Sequence, residues 1–259
     1  MAGPYPGPVP TEDLTFTGSA GARLSGVLHR PDGAARGSVL LAHCFTCDKD
    51  LHTMTRLARG LADEGYAAFR FDFTGLGASG GEFSETTVAT NVGDLSRAAL
   101  TLVQQGYGPC AMVGHSLGGA AVLLAAHRVK TATSIAVIAA PSDTDHVRHL
   151  FEADLDTIRA DGCAVVRIAG RPFPVRDEFL HDLATHRVLE RVTELGRPLL
   201  VLHGPDDDVV PFEHAVRIFE AAAEPKRLVS LSGADHLLSD RAVADEALAA
   251  IVSWFDDTT

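Results

Sequence analysis

The sequence has little positive charge, few cysteines and no long apolar run. Its 259 residues include 22 Lys and Arg against 34 Asp and Glu, which gives a formal net charge of −12. Proteins that bind nucleic acids normally present a basic surface, so we expect no nucleic-acid partner. No stretch reaches the roughly 18 apolar residues that a membrane-spanning helix needs, so we also expect no membrane span. Four cysteines are too few for a scaffold built on disulfides, and a reducing, cytoplasmic location is the expectation.

The amino terminus differs in composition from the rest of the chain. Four of the first ten residues are proline, and the segment has neither the basic nor the apolar portion of a secretory signal. Residues 1–12 are therefore predicted to form a flexible arm. The whole chain is 46% hydrophobic and 22% charged, which is typical of globular proteins, and residues 13–259 are predicted to form one domain.

The pattern of apolar residues predicts an α/β fold. Leu14–Thr17 and Leu24–Leu28 are joined by a glycine-containing turn, which is typical of an antiparallel hairpin. Further along, continuous apolar strands such as Ser38–His43 and Cys110–Gly114 alternate with segments of helical periodicity. Strands of this kind are buried on both faces, so we predict a doubly wound, mostly parallel sheet that follows an N-terminal hairpin.

One long segment interrupts this alternation. Residues 141–197 separate two apolar strands, and an insertion of this length in a compact domain is usually functional. We predict a small lid, with an ordinary surface excursion as the alternative. Gly170-Arg-Pro172 within it indicates a hairpin turn. Because the segment is more apolar than a solvated excursion needs, Phe173 and Phe179 are predicted to contact the substrate.

A candidate nucleophile lies between an apolar strand and an Ala-rich helix. The sequence Gly114-His-Ser-Leu-Gly118 has the form G-x-S-x-G, in which a sharp strand-to-helix turn exposes the serine hydroxyl at the edge of the sheet. The context makes Ser116 the predicted nucleophile. The alternative is a glycine-rich turn in which Ser116 only caps the helix.

A serine nucleophile needs a base, and the base needs a group that fixes its tautomer. Gly233-Ala-Asp-His-Leu237 follows the last strand, which makes His236 the candidate base. On sheets with a G-x-S-x-G nucleophile, the acid lies between the serine and the histidine in the chain. Two loops that follow strands supply candidate acids: Asp206, Asp207 and Asp208 in one, Asp143 and Asp145 in the other.

Two backbone N–H groups are expected to form an oxyanion hole. One belongs to Leu117, at the start of the helix after the nucleophile, and the other lies in the loop Cys44-Phe-Thr-Cys47. Cys-x-x-Cys spacing also occurs in redox and zinc sites. The chain has no second such pair, and the motif occupies the expected oxyanion loop, so the loop role is favoured. The remaining histidines have no ligand spacing, and we expect no metal and no cofactor.

These motifs resemble the α/β-hydrolase superfamily of serine esterases and lipases over almost the whole chain. The resemblance rests on four segments: Gly114–Gly119, Asp72–Ser79, His203–Pro211 and Gly233–His236. It implies the α/β-hydrolase fold. In the family pattern His-Gly-x-x-Asp-x-Val-x-Pro the aspartate is the acid, which implies that Asp207 takes this role. Asp72 is implied to be structural, organising the turn that follows it.

A narrower resemblance concerns the oxyanion loop. Leu41–Asp50, Phe71–Gly77 and Gly170–Phe173 look like the hydrolase half of bacterial proteins fused to an OsmC-type domain. The loop is also similar to the His-Gly-Phe-Thr-Gly loop of cinnamoyl and feruloyl esterases, with Cys44 and Cys47 in place of the two glycines. This implies that the N–H of Phe45 is the second oxyanion donor and that the Cys44 side chain contacts the substrate.

The predicted activity is hydrolysis of a small-molecule carboxylic ester through an acyl-enzyme, with cinnamoyl, feruloyl and short-to-medium acyl esters as candidate substrates. The same residues would also serve cleavage of a thioester, amide, lactone or carbon–carbon bond, because the fold hosts all of these reactions. A non-catalytic binding protein is the alternative of another class. The sequence carries no indication of the oligomeric state.

Overall fold

The computed structural model describes residues 9–108 and 110–259, and residues 1–8 of the expected arm lie outside this description. The described strands are β1 (Thr11–Thr17), β2 (Arg23–His29), β3 (Gly37–Ala42), β4 (Tyr66–Phe71), β5 (Cys110–His115), β6 (Ala132–Ile138), β7 (Cys163–Ile168), β8 (Arg171–Arg176), β9 (Leu199–His203) and β10 (Lys226–Ser230).

Eight of these strands form one sheet in the order β1-β2-β4-β3-β5-β6-β9-β10. The six strands from β4 to β10 in this order are parallel, whereas β1 pairs antiparallel with β2 and β2 pairs antiparallel with β4. The prediction of a mostly parallel sheet with an N-terminal antiparallel hairpin is confirmed.

The hairpin begins earlier than the apolar pattern indicates. Thr11 and Glu12, which the sequence assigns to the arm, pair with His29 and Leu28 on β2. Both residues are polar, and β1 lies at the edge of the sheet, so backbone pairing extends the strand beyond its buried Leu14. Thr11 and Glu12 therefore belong to the sheet.

Helices cover both faces of the sheet. The described α-helices are α1 (His52–Asp63), α2 (Val88–Gln104), α3 (Leu117–Ala125), α4 (Leu155–Asp161), α5 (Asp177–Leu183), α6 (Val188–Thr193), α7 (Glu213–Ala221) and α8 (Arg241–Thr258). α1 and α8 pack on one face, and α2, α3, α6 and α7 pack on the other. Neighbouring residues of a strand point to opposite faces of the sheet. On β3, Leu40 packs on the face that α2 and α3 cover and Leu41 on the face that α1 and α8 cover, and both are at most 1% exposed.

The insertion between β6 and β9 forms a separate layer of short elements. It contains a 3₁₀ segment (Asp145–Asp154), α4, the two-stranded β7–β8 hairpin, α5 and α6. Ile168 pairs with Arg171, so the hairpin turn is Ala169–Gly170, whose φ angles are 49° and 78°. The turn is thus centred one residue before the expected position, and Pro172 lies in β8. A two-stranded sheet tolerates this proline because both of its strands are edges.

The fold brings the loops that carry the motifs to one edge of the sheet. The segments after β3, β5, β9 and β10 all leave the carboxyl ends of parallel strands, where α/β proteins bind their ligands. In the described part of the chain, no helix has the length and apolar character needed to cross a membrane.

Candidate active site

Ser116 occupies a strained turn between β5 and α3. Its φ of 54° lies in the left-handed region, and its N–H donates to the carbonyl of Ile138 at 2.8 Å. The glycines around it allow close backbone contact. A Cβ on Gly114 would lie 2.5 Å from the Gly118 carbonyl oxygen, and a Cβ on Gly118 would lie 2.2 Å from that of His43. The G-x-S-x-G spacing therefore holds β3, β5 and α3 together beneath the hydroxyl.

Three side chains form a continuous hydrogen-bonded chain at this edge. His236 Nε2 lies 3.0 Å from Ser116 Oγ, and His236 Nδ1 lies 2.9 Å from Asp207 Oδ2. All three residues are buried, with His236 the most exposed at 9%. The arrangement leaves one ring nitrogen of His236 facing the hydroxyl and the other facing the carboxylate, as a serine nucleophile and its base require.

Asp207 is held in place by its own loop. Its Oδ1 accepts hydrogen bonds from the N–H groups of Val209 and Val210, both at 2.9 Å. Burial alone raises the pKa of Asp207, but the hydrogen bonds from His236 and from Val210 outweigh it and hold this pKa below its ordinary value. The carboxylate is therefore ionised at neutral pH.

The other candidate acids lie elsewhere. Asp206 and Asp208 are exposed. Asp143 accepts a hydrogen bond from the N–H of His146, and Asp145 pairs with Arg148 in the insertion. Of the five carboxylates that the sequence proposes, the structure brings Asp207 to His236.

His115 is a site residue that the sequence analysis does not single out, although it lies inside the nucleophile motif. It is fully buried, and its Nε2 lies 2.7 Å from the backbone oxygen of His236. Burial lowers the pKa of His115 to about 3, so the ring is neutral, and Nε2 carries the proton because a carbonyl only accepts. This bond fixes the backbone that carries His236. A histidine within an otherwise apolar strand is the signal that marks it.

We expect acid to destabilise the protein through its buried histidines. Burial lowers the pKa of His115 to about 3 and that of His29 to about 4, whereas the unfolded chain binds these protons below about 6.5. Their stabilising contribution is therefore complete above pH 6.5 and is lost as the pH falls from there towards the folded-state values. From pH 7 to pH 5 these two residues alone remove up to about 4 kcal/mol from the free energy of unfolding. Denaturant titrations at the two pH values measure this loss.

His29→Gln is the matched variant for this measurement. His29 Nε2 accepts a hydrogen bond from Arg70 Nε at 3.0 Å, and glutamine keeps an acceptor but does not titrate. The variant should therefore lose up to about 2 kcal/mol less than the wild type between the two pH values. Equal losses in both proteins would contradict the assignment of a neutral His29.

Leu117 and Phe45, whose N–H groups are the expected oxyanion donors, both line a small cavity. Leu117 is the first residue of α3, and Phe45 lies in the loop after β3. Within the described residues, neither N–H donates to a protein acceptor. Both residues line the same closed cavity, together with Cys44 and Gly118. This placement suits two donors to a developing negative charge, and the positive end of the α3 dipole aids the Leu117 N–H.

The predicted oxyanion loop contains a disulfide bond. Cys44 and Cys47 are joined, with their Cα atoms 5.3 Å apart, and the link spans Phe45 and Thr46. This corrects the expectation that the two cysteines act only as loop residues. In the sequence, the Cys-x-x-Cys spacing is the feature that indicates this disulfide, because such a short separation brings two sulfurs together when the chain turns. Cys163, on β7, is a free and exposed thiol.

A buried ion pair holds the end of this loop. Asp72 is fully buried and accepts hydrogen bonds from the Lys49 N–H at 2.6 Å, the Lys49 ammonium at 2.8 Å and the Ala78 N–H at 2.8 Å. Burial lowers the pKa of Lys49, but its pairing with Asp72 outweighs this and raises the pKa above its ordinary value. Asp72 thus ties the oxyanion loop to the turn after β4, as a structural residue would.

A cavity of about 540 Å³ opens beside Ser116 and His236. One wall is the oxyanion loop with its disulfide, and the opposite wall comes from the insertion, through Leu150, Ile168 and Arg171. Its volume is within the range of small-molecule sites, and the surface of its walls is mostly apolar. Cys44 lines this cavity, where the sequence analysis expects it.

Phe173 and Phe179, the two predicted substrate contacts in the insertion, pack against other aromatic rings. Phe179 stacks on Phe45, with centroids 5.3 Å apart and planes 7° from parallel. Phe173 packs on Phe83 at 5.1 Å. Both are at most 6% exposed, and neither lines the larger cavity, although Phe179 borders the small one. The insertion is thereby packed directly onto the ring of a proposed oxyanion residue.

Residues 39–250 match the model of the family described as "Alpha/beta hydrolase family". The chain belongs to this family. The esterase domain of a Rhodothermus marinus protein is 40% identical, with a TM-score of 0.77, over 95% of this chain and 97% of that chain. The family and this esterase neighbour together support hydrolase activity.

Two further comparisons concern possible substrates. Est1E from Butyrivibrio proteoclasticus, solved with ferulic acid, has a TM-score of 0.77 over 95% of this chain and 98% of its own, but at 20% identity it shows the fold alone. The mitochondrial palmitoyl-protein thioesterase ABHD10 of Rattus norvegicus is 26% identical over 191 residues, which cover 69% of this chain and 61% of that protein.

Proposed function

We propose that the protein is a serine carboxylesterase that acts on small-molecule esters. The observation that carries the proposal is the hydrogen-bonded chain from Ser116 through His236 to Asp207, beside a cavity of about 540 Å³. A protein that only binds a ligand has no need of a nucleophile, a base and a buried carboxylate in series. The esterase domain from Rhodothermus marinus, at 40% identity, adds support.

In the proposed mechanism, Ser116 Oγ attacks the ester carbonyl while His236 Nε2 takes the hydroxyl proton. Asp207 holds the other proton on His236 Nδ1 and stabilises the imidazolium that forms. The N–H groups of Phe45 and Leu117 donate to the oxyanion of the tetrahedral intermediate. His236 then protonates the leaving alcohol. In the second half of the reaction, His236 takes a proton from a water molecule that attacks the acyl-enzyme, and it then returns this proton to Ser116. This chemistry draws on the side chains and backbone of the chain alone.

The substrates proposed are short-to-medium acyl esters or cinnamoyl and feruloyl esters. The aliphatic side chains of Leu150, Ile168 and Leu237 suit an alkyl chain, and a volume of about 540 Å³ is also large enough for an aromatic acid. We also propose that the chain is related to the hydrolases that are fused to OsmC-type domains. Rates on p-nitrophenyl esters of increasing chain length and on methyl ferulate distinguish these substrates.

Labelling with a fluorophosphonate tests the mechanism independently of the substrate. The reagent should modify Ser116 in wild type, and mass spectrometry of the peptide locates the adduct. A protein that turns over no ester and takes up no label would be a binding protein with this fold, contrary to our proposal.

Thioester hydrolysis is a second candidate, favoured by the similarity to the palmitoyl-protein thioesterase ABHD10. The same nucleophile and oxyanion donors serve both reactions, because each begins with attack on an acyl carbonyl. Rates on an octanoyl thioester and on octanoyl p-nitrophenyl ester distinguish the two activities. For a carboxylesterase, the ratio of kcat/KM to the rate constant of uncatalysed hydrolysis should be higher for the oxygen ester.

The insertion is proposed to select the acyl group. Leu150 is half-buried and lines the cavity, so Leu150→Ala should lengthen the preferred acyl chain and raise the ratio of kcat/KM for long over short esters about tenfold. Substrate contact by Phe173 and Phe179 stays a prediction. The matched control is Val165→Ala, because Val165 is 65% exposed on β7 and does not line this cavity. Identical chain-length profiles in all three proteins would mean that the insertion is scaffold.

A further inference from the structure

We propose that Cys44 and Cys47 form a reversible redox site, whose disulfide holds the oxyanion loop in its active geometry and whose reduction lowers esterase activity. The inference rests on the proposed function for its effect on turnover. The cysteine chemistry itself can be measured without any substrate.

The disulfide encloses the proposed oxyanion donor. It links the residue before Phe45 to the residue after Thr46, so the Phe45 N–H lies inside the closed ring. The same disulfide lines the cavity that Ser116 and His236 border. A change in the sulfur link therefore acts on the N–H that is proposed to bind the oxyanion.

Within this ring, the backbone has two short hydrogen bonds, from the Thr46 hydroxyl to the Phe45 carbonyl at 2.7 Å and from His43 Nδ1 to the Cys44 carbonyl at 2.9 Å. The Cys47 N–H donates to the Cys44 carbonyl at 3.3 Å, and Arg171 reaches the Thr46 carbonyl at 3.4 Å, both long for hydrogen bonds. Thr46 has a φ of 59°, in the left-handed region that a non-glycine residue disfavours. Without the disulfide, Thr46 is free to relax from this conformation, and the Phe45 N–H shifts with it only as far as the bond from His43 to the Cys44 carbonyl, on the same peptide unit, allows.

The segments on either side are held firmly by contrast. His43 Nδ1 bonds the Cys44 carbonyl at 2.9 Å, and the Lys49 N–H donates to the buried Asp72 at 2.6 Å. Relaxation after reduction is therefore confined to the loop between them. Among the described residues, the hydrogen bonds that join Ser116, His236 and Asp207 involve no residue of this loop.

The two sulfurs differ in access. Cys44 is 5% exposed, whereas Cys47 is half-buried, and both border the open cavity. A small thiol that enters the cavity therefore reaches the Cys47 sulfur first, and this sulfur is the expected point of attack.

The reductant is a low-molecular-weight thiol. Its thiolate attacks the Cys47 sulfur, the S–S bond breaks, and Cys44 leaves as a thiolate that takes a proton from water. A second thiolate then attacks the small-molecule sulfur of the mixed disulfide and releases the Cys47 thiolate, which is protonated in turn. In total, two small thiols are oxidised to one small disulfide, and the protein disulfide is reduced to two thiols.

The effect should fall on kcat. An oxyanion donor binds the transition state more strongly than the ground state, so its misalignment lowers kcat and leaves KM almost unchanged. Complete loss of one donor costs on the order of 10²- to 10³-fold in kcat. Reduction loosens the Phe45 N–H without removing it, and we expect kcat to fall on the order of tenfold.

The experiment compares the oxidised protein with protein treated with dithiothreitol. Alkylation with iodoacetamide under denaturing conditions, followed by intact-mass measurement, should show two more carbamidomethyl groups after reduction, located by peptide mapping to Cys44 and Cys47. Fluorophosphonate labelling of Ser116 should slow on reduction in parallel with kcat, and reoxidation by a small disulfide should restore both. Two variants complete the set. The double variant Cys44→Ser/Cys47→Ser should have the kcat of the reduced wild type, and dithiothreitol should not change it. Cys163→Ser should respond to dithiothreitol as the wild type does.

Each readout separates this inference from the proposed function. Equal labelling rates and equal kcat in both redox states, with two thiols demonstrably released, would overturn the control of the oxyanion loop. Failure to release the thiols, or a reduced form that is faster than the oxidised form, would overturn it as well. Release of two thiols with redox-dependent labelling but no ester turnover would uphold the redox site and contradict the proposed ester substrate instead. Equal melting temperatures of the two Ser variants and the wild type would exclude misfolding as the cause of a loss.

Discussion

Ser116→Ala should lower kcat for p-nitrophenyl esters by on the order of 10⁶, to the limit of detection. The variant lacks the oxygen that forms the acyl-enzyme, and no other hydroxyl lies against His236 Nε2 among the hydrogen bonds of the described residues. The fold should be unaffected, because alanine and serine tolerate the φ of 54° at this position about equally. Stopped assays at high enzyme concentration measure the residual rate, and circular dichroism checks the fold.

Ser96→Ala is the matched control for this substitution. Ser96 lies on α2, and its hydroxyl only donates to the Val92 carbonyl one turn earlier. The control should retain wild-type turnover and fluorophosphonate labelling, whereas Ser116→Ala should lose both. Residual activity of Ser116→Ala above about one per cent would contradict a covalent serine mechanism, since triad loss costs far more.

Asp207→Asn should lower kcat by about 10⁴. The N–H groups of Val209 and Val210 both point at Oδ1, so the asparagine side chain should keep its oxygen there. Its NH₂ group then faces His236 Nδ1 and donates to it. This places the ring proton on Nε2, which can no longer accept the proton of Ser116.

The other candidate aspartates give controls in which the same Asp→Asn substitution is made. Asp206→Asn and Asp208→Asn alter exposed side chains two residues apart in the same loop, and both should stay near wild-type kcat. Asp143→Asn tests the alternative acid loop. A large loss at Asp143 or Asp208, with Asp207→Asn active, would mean that the acid has been assigned to the wrong residue.

Much of the architecture follows from local sequence patterns. The apolar runs of β3 and β5 are long enough to be recognised as strands buried on both faces, because successive apolar residues in them pack alternately against the two helix layers. The G-x-S-x-G motif, the strand-end positions of His236 and the Asp206–Asp208 loop, and the insertion after β6 are also readable from spacing. These features depend on residues close in the chain, which is why the sequence predicts them.

The sequence by itself therefore determined the sheet, its N-terminal hairpin, the candidate nucleophile and base, and a short list of acids. Residue spacing alone left several acids open, and the resemblance to the hydrolase family implied Asp207; the tertiary structure places Asp207 against His236, because its side chain turns inward to the Val209 and Val210 N–H groups. It also decided that Phe179 stacks on Phe45 and that Cys44 is bonded to Cys47. Such contacts join side chains through turns or across long stretches of chain, and the direction in which a side chain points in a loop is fixed by packing and backbone conformation, which no periodicity records.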